Sequence, residues 1–209
     1  MAYRLVIFDF DGTLADSAGW FAGVLNQVAA RYGFRQVDRA ELEALRGRDN
    51  REIVKALGVP FWKLPLIAAH MRGLAARDAG SIPLFPGVDA MLRRLRDRGI
   101  QVAIVSSNAE ANIRRVLGPD NAALVDRFAC KAGLFGKAAK IRAVLRQAGV
   151  LPTQAICVGD EVRDIQAAAA VGAAAGAVAW GYATPELLRA HNPTLFFETV
   201  EGMATRLAP

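Results

Sequence analysis

The stretch Val6-Ile7-Phe8-Asp9-Phe10-Asp11-Gly12-Thr13-Leu14 constrains this chain more than any other. The apolar run from Leu5 to Phe8 has the length and residue types of a buried strand, and it ends in two carboxylates one residue apart. Residues at i and i+2 of an extended chain share a side, so Asp9 and Asp11 should leave the strand end facing one space. Gly12 then lets the backbone turn away. Two carboxylates so close repel each other, and burying them without a partner is costly. Such a pair calls for a compensating cation or a chemical use. Mg²⁺ answers the need, because it takes hard oxygen ligands and keeps positions open for substrate phosphate.

Two further strand-like runs end in polar residues. Gln101 to Val105 runs into Ser106-Ser107-Asn108, and Ile156 to Val158 runs into Gly159-Asp160-Glu161-Val162-Arg163-Asp164. Between and after them the pattern alternates. Helical spacing recurs over Val88–Arg98, Asn112–Leu117, Lys137–Gln147 and Ile165–Val171, with strands at Leu124–Cys130, Ala173–Trp180 and Thr194–Phe197. This alternation predicts an α/β fold with a doubly wound, Rossmann-like parallel sheet. Residues 17–81 read differently, as helices only, starting from a cap at Asp16 or Ser17 and another near Asp38. They predict an all-helical cap domain inserted after the first strand, with residues 1–16 and 82–209 forming the core. Ligands of open parallel sheets gather at the carboxyl ends of the strands, where all three polar strand ends would meet. Asp164, four residues after Asp160, falls one helical turn on and can face the same ion.

Asp9-Phe10-Asp11-Gly12-Thr13-Leu14 resembles the first motif of the haloacid dehalogenase (HAD) superfamily of phosphohydrolases. Ser106 is similar to the serine or threonine of its second motif, and Gly159-Asp160-Glu161-Val162-Arg163-Asp164 resembles its acidic fourth motif. Leu134-Phe135-Gly136-Lys137 suggests Lys137 as the lysine that the family places between them. The helical insert resembles the family's cap, and size and layout resemble the phosphoglycolate-phosphatase-like and β-phosphoglucomutase-like subgroup. The resemblance implies that Asp9 is the nucleophile of an aspartyl-phosphate mechanism and Asp11 the general acid, then base. It implies phosphate binding by Thr13, Ser106 and the backbone N–H of Ser107, with Asn108 either beside them or a helix cap. Lys137 would offset the charge on Asp9 and the phosphoryl group. Asp9, the Asp11 carbonyl, Asp160 and Asp164 would hold Mg²⁺. Displacing a halide needs no proton, so the presence of Asp11 favours a phosphate ester. Two alternatives stand beside hydrolysis: a phosphomutase using the same site, and a non-catalytic receiver-like phosphoacceptor, whose motifs occur in a different order.

The cap's polar turn Arg46-Gly47-Arg48-Asp49-Asn50 offers donors that could reach the non-phosphate end of a substrate, or simply be solvated. Phe61 and Trp62 are expected in the cap's core. Of the 209 residues 53% are hydrophobic and 22% charged, the balance of an ordinary globular chain. The net charge of +6 is interspersed, without a run of five like charges, and no basic stripe carries interleaved aromatics. This balance suits a small anionic partner and does not support nucleic acid; the resemblance implies that the partner is a small phosphorylated metabolite. Cys130 and Cys157 lack metal-type spacing and read as buried small hydrophobes. Ile165 to Pro185 is uncharged, but its glycines argue against a membrane span. With no signal peptide pattern, a cytoplasmic location is expected, and a monomer is favoured.

Overall fold

A computed structural model describes residues 3–131 and 136–209. The elements in order are β1 (Leu5–Phe8), α1 (Ala18–Tyr32), α2 (Arg39–Leu45), α3 (Asn50–Ala56), α4 (Leu64–Asp78), α5 (Val88–Asp97), β2 (Gln101–Val105), α6 (Glu110–Ala123) and β3 (Arg127–Ala129). They continue with α7 (Lys137–Ala148), β4 (Ala155–Gly159), α8 (Val162–Ala169), β5 (Ala174–Val178), α9 (Pro185–Ala190), β6 (Leu195–Phe197) and α10 (Val200–Leu207). The six strands form one sheet of order β3-β2-β1-β4-β5-β6, and every pairing is parallel. The doubly wound α/β reading therefore holds.

Side chains alternate across the sheet as the two-residue period requires. Val6 and Phe8 pack with Val102, Ile104, Ile156 and Val158 against α5, α6 and α10. Leu5 and Ile7 pack on the opposite face with Ala103, Val105, Ala155 and Cys157 against α7 and α8. Both faces are covered, which is why these strands read as unbroken apolar runs. Residues 18–81 contain helices and connecting turns only, and they build two smaller clusters, around Leu25, Val37, Leu45, Leu57 and Val59 and around Val24, Val28 and Leu74.

The two chain crossings between the sheet and this helical part are tied together. Ala15 forms an antiparallel bridge with Leu84, the Asp16 amide donates to Pro83 (2.9 Å) and the Phe85 amide to Leu14 (2.9 Å).

Several expectations need adjustment. Ser17 precedes α1 but makes no cap hydrogen bond; its hydroxyl meets the Tyr182 hydroxyl at 2.8 Å. Asp38, by contrast, caps α2 and accepts from the Glu41 amide. The helical run expected to end at Leu117 does end there: Gly118 (φ +72°, ψ 167°) leaves helical geometry, and a second helical segment follows from Pro119 within α6. Helix α8 begins at Val162, inside the acidic motif. Phe61 and Trp62 are not core: they are 59% and 70% exposed. Cys157 is buried, and that burial pushes its thiol up to about 12, whereas Cys130 is only half-buried. Among the described residues, no helix is long and apolar enough to cross a membrane. Leu134 and Phe135 lie outside the described residues.

Candidate active site

The register levels three strand ends. Phe8 lies opposite Ile104 on one side and Val158 on the other, so the residues after β1, β2 and β4 emerge at one edge. Strand order reverses between β1 and β4, the position where open sheets form a crevice. Asp9, Asp11, Ser106, Asn108, Asp160 and Asp164 all issue there, and the start of α7 brings Lys137 to them.

Asp9 is buried. One carboxylate oxygen accepts from the Phe10 amide (2.7 Å); the other lies 2.7 Å from Lys137 Nζ and 3.9 Å from the Arg163 guanidinium. Burial pushes this carboxyl up and the Asp164 charge adds to that; Lys137 opposes it without cancelling it. Asp11 is half-buried and accepts from Asn108 Nδ2 at 3.1 and 3.4 Å. Desolvation, reinforced by the charge on Asp9, raises its pKa to about 6.

Asp160 is fully buried and takes one donor on each oxygen, the Thr13 hydroxyl (2.7 Å) and the Tyr182 amide (2.8 Å). Desolvation and the charges of Glu161, Asp164 and Asp9 raise it well above the usual carboxylate range. Asp164 accepts from Lys137 Nζ (2.5 Å) and from the amides of Asp160 (3.1 Å) and Glu161 (3.0 Å). Burial works against its ionisation, but Lys137, Arg163 and these donors outweigh it and hold Asp164 below the ordinary value. Lys137 stays protonated for the converse reason: desolvation works against its charge, and the charges of Asp164 and Asp9 outweigh it.

Carboxylate oxygens of Asp9, Asp160 and Asp164 all lie within 4.8 Å of one another. Five carboxylates (Asp9, Asp11, Asp160, Glu161, Asp164) share this neighbourhood with two cations, Lys137 and Arg163. Hard oxygen donors with an excess of negative charge suit Mg²⁺. The backbone around Asp160 is fitted closely. A Cβ on Gly12, whose φ is +78°, would stand 2.3 Å from Asp160 Oδ2, and one on Gly181 would stand 2.1 Å from Asp160 Cβ.

The structure reassigns several residues. Thr13 does not present its hydroxyl to a ligand: it is fully buried and spent on Asp160. Asn108 is not the cap of α6, which is Ala109; its amide nitrogen faces Asp11 and its oxygen accepts from the Ala109 amide (2.8 Å) and Asn112 (2.9 Å). Ser106 is buried, with its hydroxyl accepting from the Asn108 amide (3.1 Å), while Ser107 is half-buried beside it. Arg46 does not reach toward a substrate. Its guanidinium donates to the carbonyls of Tyr182 (3.0 Å) and Gly181 (3.2 Å), and its own carbonyl accepts from the Thr184 amide (3.0 Å). Asn50 Nδ2 donates to Glu161 Oε1 (2.7 Å), and Arg48 is exposed.

Sequence reasoning missed Glu161, Arg163 and Tyr182. The first two stood inside the acidic motif, and their spacing at a helix start was the available clue. Tyr182 carried none, because its contacts to Asp160, Ser17 and Arg46 arise from the path of the loop after β5.

Residues 6–178 match the family described as haloacid dehalogenase-like hydrolase. The chain is 31% identical to the phosphoglycolate phosphatase of Synechococcus elongatus, over 94% of this chain and 93% of that protein. It is also 31% identical to the tyrosine-protein kinase PtkA of Mycobacterium tuberculosis, over 92% of this chain and 67% of that protein. A crystal structure described as a predicted phosphatase from Clostridium acetobutylicum superposes with a TM-score of 0.84 at 19% identity, covering 99% of both chains, which bears on the fold.

Proposed function

Because the chain belongs to the haloacid dehalogenase-like hydrolase family and is a phosphatase of that type, we propose that it hydrolyses a small phosphate monoester with Mg²⁺ through an aspartyl-phosphate on Asp9. The observation that carries this reading is the pairing of two carboxylates with different environments at one strand end. Asp9 is pressed against Lys137, and Asp11 is raised to about 6, where it can both give and take a proton near neutral pH.

The Asp9 carboxylate attacks phosphorus, the ester P–O bond breaks, and Asp11 gives its proton to the leaving oxygen. Asp11 then takes a proton from water, whose oxygen attacks the phosphoryl group and releases phosphate and free Asp9. Lys137 stays charged throughout and offsets charge on Asp9 and the transferring group. Ser106 and the Ser107 amide are the candidates to hold the phosphate. Asp9, the Asp11 carbonyl, Asp160 and Asp164 are the candidates to hold Mg²⁺, which supplies charge neutralisation to the phosphoryl oxygens. Thr13 serves by fixing Asp160, and residues 17–81 act as the cap over this site. The substrate proposed for testing first is 2-phosphoglycolate, the ester named for relatives of this chain.

The test is phosphate release from a panel of monoesters that includes phosphoglycolate, with Mg²⁺ or a chelator. Metal-dependent turnover is expected, with Asp9→Asn lowering it at least about 10³-fold. A wild-type protein that releases no phosphate from any ester would overturn the reading.

A further inference from the structure

Arg163 is the second cation at Asp9, and its setting is unusual. Its side chain is 24% exposed and that of Glu161 14%, so both ends of their ion pair are largely withdrawn from water. Glu161 divides its carboxylate between two partners. Oε2 takes Arg163 Nε in a short contact, and Oε1 takes Asn50 Nδ2 of α3 at 2.7 Å. The other arm of the guanidinium stands 3.9 Å from Asp9 Oδ2, the oxygen that also meets Lys137. Asn50, Glu161, Arg163 and Asp9 therefore form a continuous polar chain from the helical part to the carboxylate at the end of β1.

Resting on the phosphatase reading above, we propose that Arg163 is a positioning residue for Asp9 and that Asn50 sets it through Glu161, so the second cation depends on a donor from the helical part. Glu161 lies between β4 and α8, at the N-cap of α8. With Oε1 bound by Asn50 its rotamer is fixed, and the planar guanidinium on Oε2 is fixed with it. Without the Asn50 amide, Oε1 loses its donor, Glu161 gains rotameric freedom and Arg163 is no longer aimed at Asp9. Phosphoryl transfer depends on preorganised charge, so a cation loosely held contributes little to the transition state even when substrate still binds. The amide of Asn50 is already used by Glu161, so its effect should fall on turnover more than on binding.

The test is a double-mutant cycle on kcat and KM for the ester that wild type turns over best, in saturating Mg²⁺. Arg163→Ala is expected to lower kcat about 30-fold, and Asn50→Ala about tenfold, each with KM within about threefold. The double variant should be no slower than Arg163→Ala alone, because both remove one device. Asn50→Gln, which keeps an amide donor, should retain more turnover than Asn50→Ala, and Arg163→Lys checks the charge should Arg163→Ala fail to fold. Multiplying effects of the two alanine substitutions on kcat, or effects confined to KM, would overturn the inference while leaving the phosphatase reading intact. A wild type without turnover on any ester would remove the phosphatase reading and this inference together.

Discussion

At the scale of single residues, the carboxylates differ in what compensates their burial. Asp164 collects a lysine and two amides and stays ionised, whereas Asp160 has one hydroxyl and one amide and is raised. Removing the hydroxyl from Asp160 is therefore informative. Thr13→Val should weaken Mg²⁺ binding about tenfold, read from the Mg²⁺ dependence of the melting temperature, since a charged-group hydrogen bond is lost. Asp11 gives a pH prediction for the protein in chelator. Its pKa is about 6 in the folded chain, above an unfolded value near 4, so the folded state binds the extra proton between these values. Its stabilising contribution is complete below about pH 4 and is lost as pH rises through about 6. Asp9 and Asp160 are also raised and act in the same direction, while Asp164 acts oppositely. Melting in chelator at pH 5.5 and 7.5 should accordingly find Asp11→Asn more stable than wild type at the higher pH, with a smaller gap between the two proteins at the lower. An equal gap at both would contradict the assignment.

At the scale of elements, close approach matters more than propensity around the site. Gly181→Ala places a Cβ 2.1 Å from the Asp160 Cβ, next to backbone that cannot give. It should lower the melting temperature and abolish the Mg²⁺-dependent rise. Gly23→Ala is the contrast: it sits exposed inside α1 with nothing within 4 Å of the added Cβ, and should stabilise by about 0.5–1 kcal/mol. These elements also mark what the sequence disclosed. Strands β1, β2 and β4 were legible because burial on both faces writes continuous apolar runs, and Asp9, Asp11 and Asp160 because each follows a strand's end; Asp164 was legible from its spacing to Asp160, and Lys137 only through the family resemblance. Thr13, Arg46 and Asn50 were misread, since a hydroxyl, guanidinium or amide advertises donors without saying where they go. Their partners lie 147, 136 and 111 positions away in the chain, across loops whose course no local pattern records. Phe61 and Trp62 failed for a related reason: apolar identity does not tell which side of a short helical turn faces water.

At the scale of the whole molecule, the helical part touches the sheet's site edge through Arg46 and Asn50, on the loops that follow β5 and β4. Arg46→Ala removes the donors to the Gly181 and Tyr182 carbonyls while leaving the main-chain bond to Thr184. Hydrogen exchange over residues 181–184 should become faster, with the amides of β1 and β4 unchanged, because local opening is confined to the part that lost its contacts.

The sheet order has a consequence for how the chain is made. Strand β1 ends at residue 8, but its two neighbours begin at residues 101 and 155. At roughly 5–20 residues per second on the ribosome, the first strand waits about 7 to 30 seconds for its second neighbour to be synthesised. Helices α1 to α4 are complete before either neighbour exists and can assemble, while Leu5–Phe8 has no sheet to enter until β2 follows at residue 101. Vectorial synthesis thus finishes the helical part before the sheet, and the carboxylates of Asp9 and Asp11 stay hydrated until the last third of the chain arrives to enclose them.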